Sequence, residues 1–284
     1  MNLQKILTLT ESSLEGSKLY RKVYPNGTVE ELQTMFDEHC SDAEWMIETN
    51  DPFYRGATRD VAGFEIVDTT LSARKSEHGA FGNYYTLFLD NHPHRTTWPK
   101  RSKSLIATTD RVFAGNYGNI SIVIPFNGAK IGAVGARDIW LSSTHSDAGV
   151  YTLKEANRTW GTFVGAPWKI IETPDRPIPF PSDTDWESWK KFDAALRQYS
   201  EDEINHVGES TRALSRGDFQ KFVGYIAQNG VLNTITAMYS VSAMHPTQFT
   251  DTTKDGEFDG EVWVEGKCLV ISRKLWDELL KGKR

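Results

Sequence analysis

The sequence predicts an α+β fold, and three observations lead there. Short apolar runs bounded by turn signals crowd the stretch before residue 140. A further apolar run, 257–271, closes the chain as late strand. Between them, at 183–245, the pattern turns helical. One α+β domain spanning 1–284 is expected, with 183–245 as a helical insertion within it.

The elements follow in order. Residues 1–27 read as short strand or loop pieces ending in the turn Pro25-Asn26-Gly27. Thr28-Val-Glu-Glu31 is a capping box, and Leu32, Met35, Phe36, Cys40, Ala43 and Met46 follow at helical spacing, predicting a helix over 29–47. Asn50-Asp51-Pro52 ends it, and Phe53-Tyr54-Arg55-Gly56 opens a strand or tight turn. Residues 60–70 form the next strand signal. Residues 71–103 are polar, with His78, His92, His94 and a basic run of Arg95, Lys100, Arg101 and Lys103, and read as surface loop. That run is either a solvated loop or a local contact for phosphates.

Ser104 to Asp110 reads as a short buried strand ending in hydroxyls. Thr109 or Asp110 caps the helix that follows, which carries Val112, Phe113, Ala114 and Tyr117 and ends at Gly118. Strands are predicted at 120–126 and 129–134, joined by Asn127-Gly128. Residues 141–182 are rich in Thr, Ser, Gly and Pro, and within them Thr173 to Pro181 reads as a rigid connector or a loop lying across the surface. In the helical block, Trp186, Trp189, Phe192 or Asp193, Leu196 and Tyr199 recur every three to four residues. Two more apolar helical runs follow, one capped by Asp218 and one over 231–244.

Composition excludes some classes. The net charge of -6 disfavours a sequence-independent DNA binder. Cys40 and Cys268 are the two cysteines, too few for a disulfide framework, so a reducing, cytoplasmic setting is expected. Met1 to Thr10 lacks the apolar core of a signal peptide. No run approaches the ~18 apolar residues of a membrane helix. Nine Trp and ten Tyr suit either a core or stacking surfaces. Walker, dinucleotide-binding, zinc-protease and esterase motifs are absent.

Three features fit one chemistry. Arg55 stands in Tyr54-Arg55-Gly56, Thr108 and Thr109 end a strand that leads into a helix, and Asp259 and Glu261 open a late strand two residues apart. A guanidinium holds a pyrophosphate by paired charge-assisted bonds. A hydroxyl orients a carboxylate, and a carboxylate stabilises positive charge at an anomeric carbon. That charge develops when nicotinamide leaves NAD.

This arrangement resembles the Arg–Ser–Glu class of ADP-ribosyltransferases, which includes bacterial toxins and phage-encoded modifying enzymes. The resemblance covers residues 53–135 and 255–272 and implies a split antiparallel sheet flanked by helices, with NAD as substrate. It makes Glu261 catalytic with Thr108, and secondarily Thr109, positioning it, gives Asp259 a part in orienting the acceptor, and puts Arg55 on the pyrophosphate. Tyr54, Gly56, Thr108, Thr109, Tyr117 and Trp263 complete the NAD site. Ala107-Thr108-Thr109 departs from the family's Ser-Thr-Ser, and Asp259 replaces its Glu or Gln, which puts arginine as acceptor in doubt. The acceptor expected is a protein side chain, with nucleic acid as the alternative, in the host cytoplasm if the chain is phage-encoded. Two other classes fit the same residues: a non-enzymatic binding or virion-associated structural protein, and an enzyme acting on a nucleotide or modified base without NAD.

Overall fold

Thr28 begins the first helix as its sequence dictates. Its hydroxyl accepts from the Glu31 N–H, and the Glu31 carboxylate returns the bond to the Thr28 N–H at 3.0 Å. The computed structural model describes residues 13–14, 17–18, 20–71, 84–134, 139, 148–211, 216–239, 244–247 and 260–282. They divide into two compact units.

The first unit comprises 1–75, 97–138 and 243–284. Its early elements are β1 (Ser13–Leu14), β2 (Ser17–Lys18), β3 (Tyr20–Tyr24), α1 (Val29–His39), α2 (Glu44–Thr49), β4 (Phe53–Ala57) and β5 (Phe64–Asp68). The helix predicted over 29–47 is therefore broken in two. Cys40 ends α1, and Asn127 of the Asn-Gly turn explains the break. Its amide donates to Ser41 Oγ and accepts from the Asp42 N–H, drawing the chain out of helical geometry.

The second unit comprises 76–96 and 139–242, so the helical block reaches well beyond 183–245. It contributes α3 (Tyr84–Asp90). The first unit resumes with β6 (Leu105–Thr108), α4 (Arg111–Gly115), β7 (Asn119–Pro125) and β8 (Lys130–Val134). The second adds α5 (Leu153–Val164), α6 (Trp186–Leu196), α7 (Glu201–Ser210), α8 (Arg216–Asn229) and α9 (Val231–Met238). The first closes with β9 (Met244–Thr247), β10 (Glu261–Glu265), β11 (Lys267–Ser272) and α10 (Arg273–Gly282).

In the first unit the strands form an antiparallel sheet in the order β3-β5-β11-β7-β4-β6-β10-β8-β9. Strands distant in sequence thus become neighbours at its centre. Five residues of β4 pair with β7, yet β4 meets β6 through Tyr54↔Thr108 alone among the described residues. Leu32 and Phe36 of α1, Phe53 of β4, and Leu275, Trp276 and Leu279 of α10 join the strand residues in one apolar core. Each large side chain fully buried there contributes about 1.5–3 kcal/mol. Cys40 and Cys268 lie in that core, and burial pushes both thiols up to about 12. They are packed thiols, not nucleophiles.

The second unit is built on rings. Trp160 sits edge-on to Phe88, Trp189 and Phe222, and Phe163 to Trp168 and Phe192. Much of the aromatic excess is core. Two helices lie outside the block that the sequence marks as helical. Tyr84–Asp90 is helical, and Leu153–Val164 is a helix opened by the capping box Thr152 to Glu155. His92 and Arg95, expected on a surface loop, are buried. His92 Nδ1 accepts from the His94 N–H, so Nε2 carries the proton and donates to the Thr236 carbonyl at 3.0 Å. Arg95 donates to the Tyr239 carbonyl. Among the described residues, no helix is long and apolar enough to cross a membrane.

Candidate functional site

The strands that carry the three sequence features, β4, β6 and β10, lie side by side. Thr108 faces Glu261 across one ladder and Tyr54 across the other. Paired residues of antiparallel strands project to the same face, so Tyr54, Thr108 and Glu261 form one row. Trp263, two residues along from Glu261, shares that face.

Glu261 is 6% exposed and held from two sides. Its Oε1 accepts from the Trp263 indole N–H at 2.6 Å and from the Arg101 guanidinium. Arg101 also lies over the Trp263 ring, 5.2 Å from its centre. Arg101 comes from a 3-10 turn, Arg101–Lys103, whose register places it against the start of β10. It is a charged partner of Glu261, and the sequence showed it only as part of a basic run. Nothing local couples residues 160 positions apart.

The hydroxyls divide the work differently from expectation. Thr109 Oγ1 accepts from the Gly260 N–H at 2.9 Å, and the Thr109 N–H donates to the Gly260 carbonyl at 3.1 Å. Thr109 therefore fixes the backbone immediately before Glu261. The Thr108 hydroxyl accepts from the Asp110 N–H at 3.1 Å, and Asp110 in turn caps α4 through the Phe113 N–H at 2.9 Å. Asp259 lies outside the described residues.

Gly56 is required by packing. A Cβ there would overlap the Ala114 carbonyl, because α4 crosses directly over β4. Tyr54 is half-buried, and burial followed by the Asp51 charge raises its phenol. Tyr117 is largely exposed, with Phe113 edge-on to its ring at 5.4 Å. Trp263 is buried, edge-on to Trp98, so its polar edge serves Glu261 while its ring serves the core.

Arg55 does not join this row. It pairs with Ser121 and so leaves the sheet on the face opposite Glu261. Its Nη1 donates to the Ile106 carbonyl at 2.6 Å, beyond the pair that joins β4 to β6. The structure thus brings Tyr54, Thr108, Thr109, Trp263 and Glu261 together and leaves Arg55 behind them, with Arg101 as the cation beside the carboxylate.

Comparisons with family models, with curated proteins and with solved structures find no match.

Proposed function

We propose that the chain transfers ADP-ribose from NAD to an acceptor, a protein side chain, releasing nicotinamide. The observation that carries this reading is the adjacency of β4, β6 and β10, with Thr108 opposite Glu261. In this reading the bond between the ribose C1′ and the nicotinamide nitrogen breaks, and its electron pair leaves with nicotinamide. Glu261 stabilises the positive charge on the ribose. The acceptor attacks C1′ and loses its proton. Trp263 and Thr109 hold the carboxylate and its backbone in place. Arg101, not Arg55, meets the pyrophosphate, exchanging its bond to Glu261 for the substrate.

The test is nicotinamide release from NAD by the parent chain and by Glu261→Gln. Release by the parent and a loss of about 100-fold or more in the variant is expected. Equal release from both removes Glu261 from catalysis, and no release or transfer from the parent overturns the reading. The burial of the Arg101–Glu261 pair favours one other reading. In it the protein is a non-enzymatic binding or virion-associated structural protein and the pair is a structural ion pair. That reading predicts that NAD does not bind.

A further inference from the structure

The face of the sheet opposite Glu261 carries a second charged cluster. Arg21 of β3, Arg55 of β4 and Arg59 line one recess with Ala57, Val61, Val67, Leu105, Ser121 and Val270. Arg21 pairs with Val67, and Arg55 with Ser121, which places these strand residues on the common face.

The charges there do not balance. Glu65, fully buried, accepts from Arg21 Nη1 at 3.1 Å through Oε2 and from Arg59 through Oε1. One carboxylate thus holds two guanidinium groups. Arg21 is nine-tenths buried, yet its Nε–H has no hydrogen-bond partner among the described residues. A buried donor without a partner costs about 1–3 kcal/mol, and like charges gathered out of water repel. Both costs vanish when an oxyanion enters, since guanidinium groups match phosphate oxygens in pairs.

We propose that this recess is a binding site for a phosphate group, separate from the Glu261 centre and independent of the reaction there. Arg21 and Arg59 supply the contacts, with Glu65 holding both guanidinium planes in position. Arg55 adds charge from the side. Val61, Val67, Val270 and Leu105 form an apolar wall beside them.

The experiment is calorimetric titration of the whole protein with inorganic phosphate and, separately, with AMP, at constant ionic strength. Saturable binding of either is expected, and the tighter of the two names the source of the phosphate. Arg59→Gln, at a partly exposed position, and Arg21→Gln should each weaken binding at least tenfold. Lys274→Gln, at an exposed position of α10, should leave it unchanged. If Arg21→Gln fails to fold, Arg59→Gln decides. Absence of saturable binding at millimolar ligand, or unchanged affinity in Arg59→Gln, overturns the proposal. No arm uses NAD or nicotinamide release, so failure here is distinct from failure of the transferase reading.

Discussion

Trp263 Nε1 donates to Glu261 Oε1 at 2.6 Å, from two residues along the same strand face. An indole at 1% exposure has no water to satisfy its N–H, so the carboxylate and the ring depend on each other. Trp263→Phe keeps most of the ring and removes the donor. A destabilisation of about 2–4 kcal/mol is expected from the lost charge-assisted bond and the smaller side chain. Urea unfolding followed by circular dichroism measures it. A change below about 0.5 kcal/mol would mean that the bond contributes nothing.

The Arg101–Glu261 pair is buried on both sides. Removing one partner of such a pair strands the other charge and costs about 3–5 kcal/mol. Arg101→Met should therefore be severe. Glu261→Gln keeps an acceptor for Trp263 and removes the charge, so the double variant should be more stable than Arg101→Met alone. A double-mutant cycle reads this directly. Additive losses would show that the two side chains are not coupled.

Thr109 and Thr108 should separate in their effects. Thr109→Val leaves the Gly260 N–H without its hydroxyl acceptor and loosens the entry to β10. A loss of about 1–2 kcal/mol is expected. If the transferase reading holds, nicotinamide release falls as well. Thr108→Val removes an acceptor from the Asp110 N–H beside α4, so its effect should fall mainly on stability. The reverse ranking in release would restore Thr108 as the residue that positions Glu261.

In the helical unit, burial holds the His92 imidazole below its ordinary value of 6.5, with the charges of Arg95 and His94 acting in the same direction. The unfolded chain takes up the proton first as pH falls. The stability due to neutral His92 is thus fully present above about pH 6.5 and is lost as pH drops through the folded value. Thermal unfolding between pH 7.5 and pH 5 should show a falling midpoint, with a shallower slope in His92→Gln. Identical slopes in the two proteins would exclude His92 as the source.

Local signals were legible where a short pattern and its structure coincide. The capping box at Thr28 starts α1, the Asn127-Gly128 turn joins β7 to β8, and the apolar run after Gly260 is β10. The second capping box, Thr152 to Glu155, was equally local but lay in a stretch rich in Thr, Ser, Gly and Pro, ahead of the block that the sequence marks as helical. Helix α3 gave no periodic signal, because Tyr85 to Leu89 are buried on every side and no polar face marks the turn. Asp193 was an ambiguous member of the helical stripe. Its carboxylate is in fact buried, accepting from the Val231 N–H at 2.6 Å and so capping α9.

The sequence by itself determined which residues could form strands and helices and that Arg, hydroxyl and Glu occur in that order, because these depend on neighbours a few positions away. Only the tertiary structure decided which of them share a face. Side-chain direction on a strand alternates with every residue, so one step of register separates Tyr54, in the row with Glu261, from Arg55, behind it. The partner of Glu261 was decided in the same way. Arg101 reaches the carboxylate because β6 and β10 pair, a choice made by the burial of their apolar side chains rather than by either charged residue.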